Sequence, residues 1–123
     1  MDKNTRLTKN FKYGEFWCKG IDPPKEYFEN IVKLAQNLQL IRDHFKKPVI
    51  ITSGYRTSEH NKAVGGAKNS QHLYGKAADI KIIGVKPQDI MEVAQEITNF
   101  KGYGLSKYFI HLDLRNKYSF WTY

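Results

Sequence analysis

Apolar residues recur every three or four positions between residues 24 and 46, the spacing of one face of an α-helix. Asp22 can cap this helix, Pro23 and Pro24 are tolerated in its first turn, and Pro48 ends it. The apolar positions of this predicted main helix are Phe28, Ile31, Leu34, Ala35, Leu38, Ile41 and Phe45. A second helix is predicted after Pro87, with the apolar residues Ile90, Val93, Ala94 and Ile97.

Short apolar and β-branched runs predict the strands. They cover residues 49–53, 77–83, 103–105 and 109–114, with a hairpin turn at 106–107 and an edge strand at 120–121. The long segment 54–75 is rich in Gly, Ser, Asn and charge, predicts a helical turn at 58–64, and has the character of a functional loop. This order predicts an α+β fold in which a small, mostly antiparallel sheet packs with two main helices.

Length and composition indicate one ordinary globular domain. A chain of 123 residues with 41% hydrophobic residues can bury one core and is too short for two. We therefore expect a single domain over residues 1–123, in which residues 1–20 form an irregular arm held to the body by aromatic side chains.

The formal net charge of +8 predicts attraction to polyanions such as nucleic acid or a bacterial wall. The lysines are spread along the chain rather than clustered, so no nucleic-acid partner is expected. The sequence has neither a run of roughly 20 apolar residues nor the apolar core of a secretory signal. We expect synthesis in the cytoplasm without a signal peptide, no membrane span, and a monomer.

His72, Asp79 and His111 form a candidate metal site, because two imidazoles and one carboxylate complete the protein ligands of a catalytic zinc. Side chains alternate along a strand, so Asp79 lies opposite the apolar face of its strand. By the same rule His111, Asp113 and Arg115 share one face. The competing interpretation is ordinary, since a histidine on a strand is usually solvated or hydrogen-bonded within the protein.

The chain also resembles a family. The residues that carry the resemblance are Ser70-x-His72-x-x-Gly75-x-Ala77-x-Asp79, Ile110-His111-Leu112-Asp113, Asn10-Phe11-x-x-x-Glu15-Phe16 and Ser53-Gly54-Tyr55-Arg56-Thr57. This combined pattern is similar to that of zinc D-Ala-D-Ala carboxypeptidases and L-alanyl-D-glutamate endopeptidases. These murein peptidases share their fold with the hedgehog signalling domain. The resemblance implies a hedgehog/DD-peptidase-like fold, zinc held by His72, Asp79 and His111, and Arg56 facing a peptide substrate.

Arg56 can clamp a substrate carboxylate by a forked contact, although a surface pair with Glu59 is the simpler alternative. Ser70 and Gln71 flank the first histidine and are candidate substrate-binding residues. Many relatives carry a Glu or Asp a few residues before the last histidine, but residues 104–110 contain no carboxylate. Asp113 is the natural substitute as catalytic base or water-orienting group, or it holds His111 in the right tautomer.

The resulting hypothesis is a zinc-dependent peptidase that hydrolyses peptidoglycan stem peptides or cross-links, as a carboxypeptidase or endopeptidase. It would act in wall lysis or remodelling, in the manner of an endolysin, at the bacterial cell wall after release. Its partners would be peptidoglycan peptides and anionic wall polymers. The alternative is a catalytically inactive zinc-binding module of the same fold that recognises the wall. A small basic nucleic-acid-binding protein is supported by charge alone.

Overall fold

The computed structural model describes residues 2–123, which contain helices and strands in α+β order. The helices are α1 (Phe28–Phe45), α2 (Ser58–Ala63) and α3 (Pro87–Ile97). The strands are β1 (Ile50–Ser53), β2 (Ala77–Lys81), β3 (Gly102–Leu105), β4 (Ile110–Asp113) and β5 (Ser119–Thr122). Short 3₁₀ turns occupy Tyr13–Phe16, Lys25–Tyr27 and Gln71–Tyr74. Within residues 2–123, none of the helices combines the length and apolar character that crossing a membrane requires.

The five strands form one sheet in the order β1-β2-β4-β3-β5. Neighbouring strands are antiparallel except at one edge, where β5 pairs in parallel with β3. The predicted hairpin joins β3 and β4, and the predicted edge strand is β5. The structure thus confirms the predicted α+β fold with a small, mostly antiparallel sheet and two main helices.

The two faces of the sheet differ in character, as alternation along the strands predicts. One face is apolar and joins α1 and α3 in the hydrophobic core. Its central residues are Ala78, Ile80, Ile110 and Leu112, all fully buried. The opposite face carries Asp79, His111 and Asp113. The core therefore fixes the strands from one side while the polar side chains project from the other.

The start of the main helix differs from the sequence prediction. The α-helix begins at Phe28 rather than at residue 24, because residues 25–27 form a 3₁₀ turn. The prediction that Asp22 caps the helix is wrong: Pro24 and Tyr27 occupy the two cap positions, and neither makes a side-chain capping bond. The helix ends at Phe45, and the following residue, Lys46, caps it with a left-handed φ of 56°, two residues before Pro48.

The N-terminal segment packs on the body and supports the loop that leads to the site. Phe11, Tyr13 and Phe16 are buried. The carbonyl oxygen of Phe16 accepts a hydrogen bond from the backbone N–H of Tyr55 at 2.9 Å. Gly54 lies so close to Phe16 that a methyl group there would meet its backbone at 2.9 Å. These contacts fix the backbone of residues 54–55.

Candidate metal centre

Three polar side chains converge at the polar face of the sheet. His72 lies in the 3₁₀ turn of residues 71–74, and Asp79 and His111 are register partners on β2 and β4. Asp79 Oδ1 lies 3.2 Å from His72 Nε2 and 3.0 Å from His111 Nδ1. One donor atom from each of these buried residues lies within 4.8 Å of the others. The structure thus brings together the three residues that the sequence marked as a candidate metal site.

The position of His72 depends on two local features. The Ser70 hydroxyl accepts a hydrogen bond from the backbone N–H of His72 at 3.2 Å and begins the 3₁₀ turn. Gly75 then ends the turn in the left-handed region, with φ of 69°. A side chain on Gly75 would also meet Ile31 at 2.8 Å. Glycine therefore allows the chain to turn sharply from His72 into β2.

Each imidazole is oriented by a hydrogen bond on its far nitrogen. His72 Nδ1 lies 2.7 Å from the carbonyl oxygen of Gly54, and His111 Nε2 lies 2.7 Å from Asp113 Oδ2. Both partners accept hydrogen bonds only, so both far nitrogens carry a proton. In the neutral rings, the lone pairs of His72 Nε2 and His111 Nδ1 then face the Asp79 carboxylate.

In the neutral form, three lone-pair acceptors that face one another suit a cation held between them. Zinc with bonds of about 2.0–2.1 Å in tetrahedral geometry places its ligand atoms about 3.3 Å apart. The observed separations of 3.0 and 3.2 Å from Asp79 Oδ1 are close to that value. The donor set of two imidazole nitrogens and one carboxylate oxygen also suits zinc. The residues present therefore fit this ion.

The pKa directions of His72 and Asp79 favour the forms that bind a metal, whereas that of His111 favours the protonated ring. Burial lowers the pKa of His72, which favours the neutral ring that a metal requires. Burial alone would raise the pKa of Asp79, but hydrogen bonds to His111 and His72 outweigh it and lower that pKa. Burial would likewise lower the pKa of His111, but its bonds to Asp113 and Asp79 raise it. A proton on His111 would supply the positive charge that zinc supplies when bound.

Both carboxylate oxygens of Asp113 are hydrogen-bonded to other groups of the protein. Its side chain is fully buried at 0% exposure. Arg115 donates to both carboxylate oxygens, from Nε at 2.8 Å and from Nη2 at 2.7 Å, and the Arg115 backbone N–H donates as well. Burial would raise the pKa of Asp113, but the bonds from Arg115 and His111 lower it to about 2. Of the two roles considered for Asp113, this geometry favours orienting His111 over acting as a base in the cleft.

Arg56 lies beside the carboxylate of Asp79 rather than pairing with Glu59. Its guanidinium donates from Nη2 to Asp79 Oδ2 at 3.1 Å, from Nε to the Ser53 hydroxyl at 3.0 Å, and from Nη1 to Asn61 Oδ1 at 3.3 Å. A guanidinium has five N–H donors, so two remain free. Arg56 can therefore hold Asp79 in place and still present donors to a bound molecule.

The three converging groups open into a cleft of about 640 Å³. Residues 64–72, which include Ser70 and Gln71, form one wall. The other lining residues are Arg56, Asp79, Phe109, His111, Arg115, Trp121 and Tyr123. The charged side chains in this lining are cationic except for Asp79, so the cleft favours an anionic group near the metal position.

Sequence reasoning missed the contribution of the C-terminal strand. The sequence indicates only an edge strand at Trp121, whereas in the structure its ring centroid lies 5.0 Å from that of His111. Alternation continued beyond β4 puts Arg115 on the face of His111 without indicating a role, and the structure shows that it pairs with Asp113. One sequence feature could have indicated this contribution. Gly102 and Gly104 occupy alternate positions of β3 and leave space on the face that carries the site.

Comparison with known proteins agrees with this site. The sequence matches the family described as Peptidase M15 over residues 9–113, a span that includes all three converging residues. It is 33% identical over 97 residues to the zinc D-Ala-D-Ala carboxypeptidase of Streptomyces albus G. That match covers 73% of this chain and 37% of the relative, so the chain corresponds to little more than a third of the relative's length. On the extent of the family match and the identity to this relative, the chain belongs to the Peptidase M15 family.

Proposed function

We propose that this protein is a zinc-dependent peptidase that hydrolyses peptide bonds in peptidoglycan stem peptides or cross-links. One observation carries the proposal: His72 Nε2, Asp79 Oδ1 and His111 Nδ1 converge in a cleft of a chain that belongs to Peptidase M15. The similarity to a zinc D-Ala-D-Ala carboxypeptidase supports zinc as the ion and a peptide as the substrate.

The side chains around the cleft suggest how a peptide is held for hydrolysis. His72, Asp79 and His111 would hold zinc, which when bound lowers the pKa of a coordinated water from about 15.7 toward about 7 and polarises a carbonyl. The two free donors of Arg56 can bind a substrate carboxylate, and murein stem peptides carry such groups. Ser70 and Gln71 line the same wall and can contact the peptide backbone.

The net charge of the chain bears on where the protein acts. A net charge of +8 favours binding to the carboxylates and phosphate polymers of a bacterial wall. We therefore place the protein at the cell wall, in lysis or remodelling of the endolysin type, after release from the cell that makes it. Peptidoglycan peptides are its proposed substrates, anionic wall polymers its secondary contacts, and a monomer its proposed state.

A second candidate function is a zinc-binding module that recognises the wall without cutting it. The cleft lining favours this alternative, because Asp79 has its only side-chain carboxylate among residues 2–123. Asp113, the candidate base, is fully buried with both oxygens hydrogen-bonded. A general base normally reaches its substrate within hydrogen-bond distance or through one water. The two candidates differ in hydrolysis and not in metal binding.

Metal analysis combined with murein digestion separates the two candidates. We expect about one zinc per chain and new peptide or amino-acid products by mass spectrometry, which also identify the bond and whether it is terminal or internal. A chelator should abolish hydrolysis, and added zinc should restore it. His72→Ala should lose both zinc and hydrolysis, whereas His44→Ala, an exposed change on α1, should keep both. Zinc without products from several murein types would select the recognition module.

A further inference from the structure

One row of residues crosses four strands on the face that carries the site. The register pairs Asp79 of β2 with His111 of β4, His111 with Gly104 of β3, and Gly104 with Trp121 of β5. Residues paired in register project to the same face of a sheet. Trp121 therefore lies two strands from His111, and the intervening position has no side chain.

The missing side chain at Gly104 lets the indole of Trp121 reach the imidazole. A methyl group on Gly104 would lie 2.6 Å from Trp121 Nε1 and 2.7 Å from Trp121 Cε2. The ring of Trp121 thus lies directly over the β3 backbone. Its centroid is 5.0 Å from that of His111, with the planes inclined by 51°. This spacing is that of an interacting aromatic pair.

The indole of Trp121 also contacts Arg115. The guanidinium carbon of Arg115 lies 4.9 Å from the Trp121 ring centroid, within the range of a cation–π interaction. Arg115 also holds both oxygens of Asp113, and Asp113 Oδ2 lies 2.7 Å from His111 Nε2. The four side chains of His111, Asp113, Arg115 and Trp121 therefore form a closed ring of contacts.

We propose that Trp121 is a positioning residue for the metal-binding imidazole of His111. The indole supports the His111 ring directly, and it supports Arg115, which holds Asp113 against His111 Nε2. This keeps the proton of His111 on Nε2 and its lone pair on Nδ1, directed at the metal position. The inference rests on the proposed function in one respect, since it takes His111 to be a zinc ligand.

The physical effect of removing the indole follows from these contacts. Without it, Arg115 loses its aromatic surface, water reaches the bond between Asp113 and His111, and the imidazole gains rotational freedom. Groups that orient a metal-binding histidine typically contribute 10- to 100-fold to metal affinity. Loss of Trp121 should therefore weaken zinc binding by about 10-fold or more, before any substrate is present.

The test measures zinc affinity by competition with a chromophoric chelator for Trp121→Leu, Trp121→Phe and Phe120→Leu. Phe120 is the adjacent residue of β5, projects from the other face and is 46% exposed, so its variant controls for damage to the strand. We expect zinc binding to fall about 10-fold or more in Trp121→Leu and to recover largely in Trp121→Phe. Phe120→Leu should bind like the unmodified protein. Cobalt-loaded Trp121→Leu should also show an altered visible spectrum, since its bands report the ligand geometry.

Gly104→Ala provides a second variant that keeps the tryptophan and displaces its ring. We expect weakened zinc binding in this variant too, so the inference can still be tested if Trp121→Leu folds poorly.

Wild-type zinc affinity and cobalt spectrum in Trp121→Leu, with only a raised KM, would overturn the inference and make Trp121 a substrate contact. Equal weakening in Phe120→Leu would overturn it as well. A protein that binds zinc with the expected variant pattern but cuts no murein would refute the proposed peptidase and leave this inference standing.

Discussion

His111 is held at both of its ring nitrogens, because each of them faces a different carboxylate. Nδ1 lies 3.0 Å from Asp79 and Nε2 lies 2.7 Å from Asp113. The first carboxylate borders the cleft and the second is fully buried. The same ring therefore links the metal position to the interior, and the two aspartates differ in access to the cleft and in hydrogen-bond partners.

Replacement of Asp113 by Asn tests whether this residue orients His111 or acts as the base. An amide can turn its NH₂ toward His111 Nε2, which favours the tautomer with the proton on Nδ1 and blocks the metal ligand. We expect zinc affinity to fall by about 10- to 100-fold, measured by chelator competition. Asp43→Asn, an exposed change on α1, is the control. Full zinc affinity with lost turnover would instead assign Asp113 as the base.

Replacement of Arg56 by Lys tests the substrate clamp. Lysine keeps the charge but cannot hold Asp79, Ser53 and Asn61 while also binding a substrate carboxylate. A hydrogen bond to a charged group contributes about 1.5–3 kcal/mol, so kcat/KM should fall roughly 10- to 150-fold for a peptide with a free carboxylate. The control is the amidated peptide, whose hydrolysis should change little. An equal loss for both peptides would mean that Arg56 acts only through Asp79.

At the scale of secondary structure, β3 shapes the site because two of its residues, Gly102 and Gly104, have no side chain. Gly102 and Gly104 lie on the polar face of the sheet, opposite Asp113 and His111 of β4. The first glycine leaves space for the Asp113 carboxylate and the second for the indole of Trp121. The next strand, β5, then supplies that indole through its parallel pairing with β3. An edge strand with a modest sequence signal thus completes the site.

Gly102→Ala tests this use of β3. The added methyl would overlap the carboxylate of Asp113, which is buried and held by Arg115. Overpacking of this kind costs about 1–3 kcal/mol, so both the melting temperature and zinc affinity should fall. Ser119→Ala, at the paired position of β5, changes the same row of the sheet without overlap and should leave both quantities nearly unchanged. A Gly102→Ala protein with unaltered stability and zinc binding would contradict this account.

At the scale of the whole molecule, the charge of +8 acts separately from the geometry of the cleft. Long-range attraction to a polyanion weakens as salt shortens the screening length from about 10 Å at 0.1 M to about 3 Å at 1 M. Contacts within the partly buried cleft are screened much less. The two contributions can therefore be separated by ionic strength.

We expect hydrolysis of intact murein carrying its anionic polymers to fall roughly 10-fold between 50 mM and 500 mM salt. Hydrolysis of a short soluble peptide with the same scissile bond should change far less, because it depends on the cleft alone. Initial rates on both substrates across a salt series provide the measurement. An identical salt dependence for the two substrates would exclude a role for the net charge in binding the wall.

The sequence by itself determined the α+β class and the two main helices, and it marked His72, Asp79 and His111 as candidate site residues without fixing their convergence. Helical spacing identified α1 and α3, and β-branched runs identified the central strands. Alternation on β2 and β4 placed Asp79 and His111 away from the core. These features are local, because they depend on side chains a few positions apart. The assignment of the three converging residues as zinc ligands stays a prediction for metal analysis.

The tertiary structure alone decided how the side chains around the metal position are partnered. The hydrogen bond from His72 to Gly54, the burial of Asp113 beneath Arg115 and the contact of Trp121 with His111 all join different segments of the chain. They depend on strand order, on register and on the parallel pairing of β5 with β3. Periodicity shows which face a residue occupies, but only the packed sheet fixes which residues share that face and at what distance.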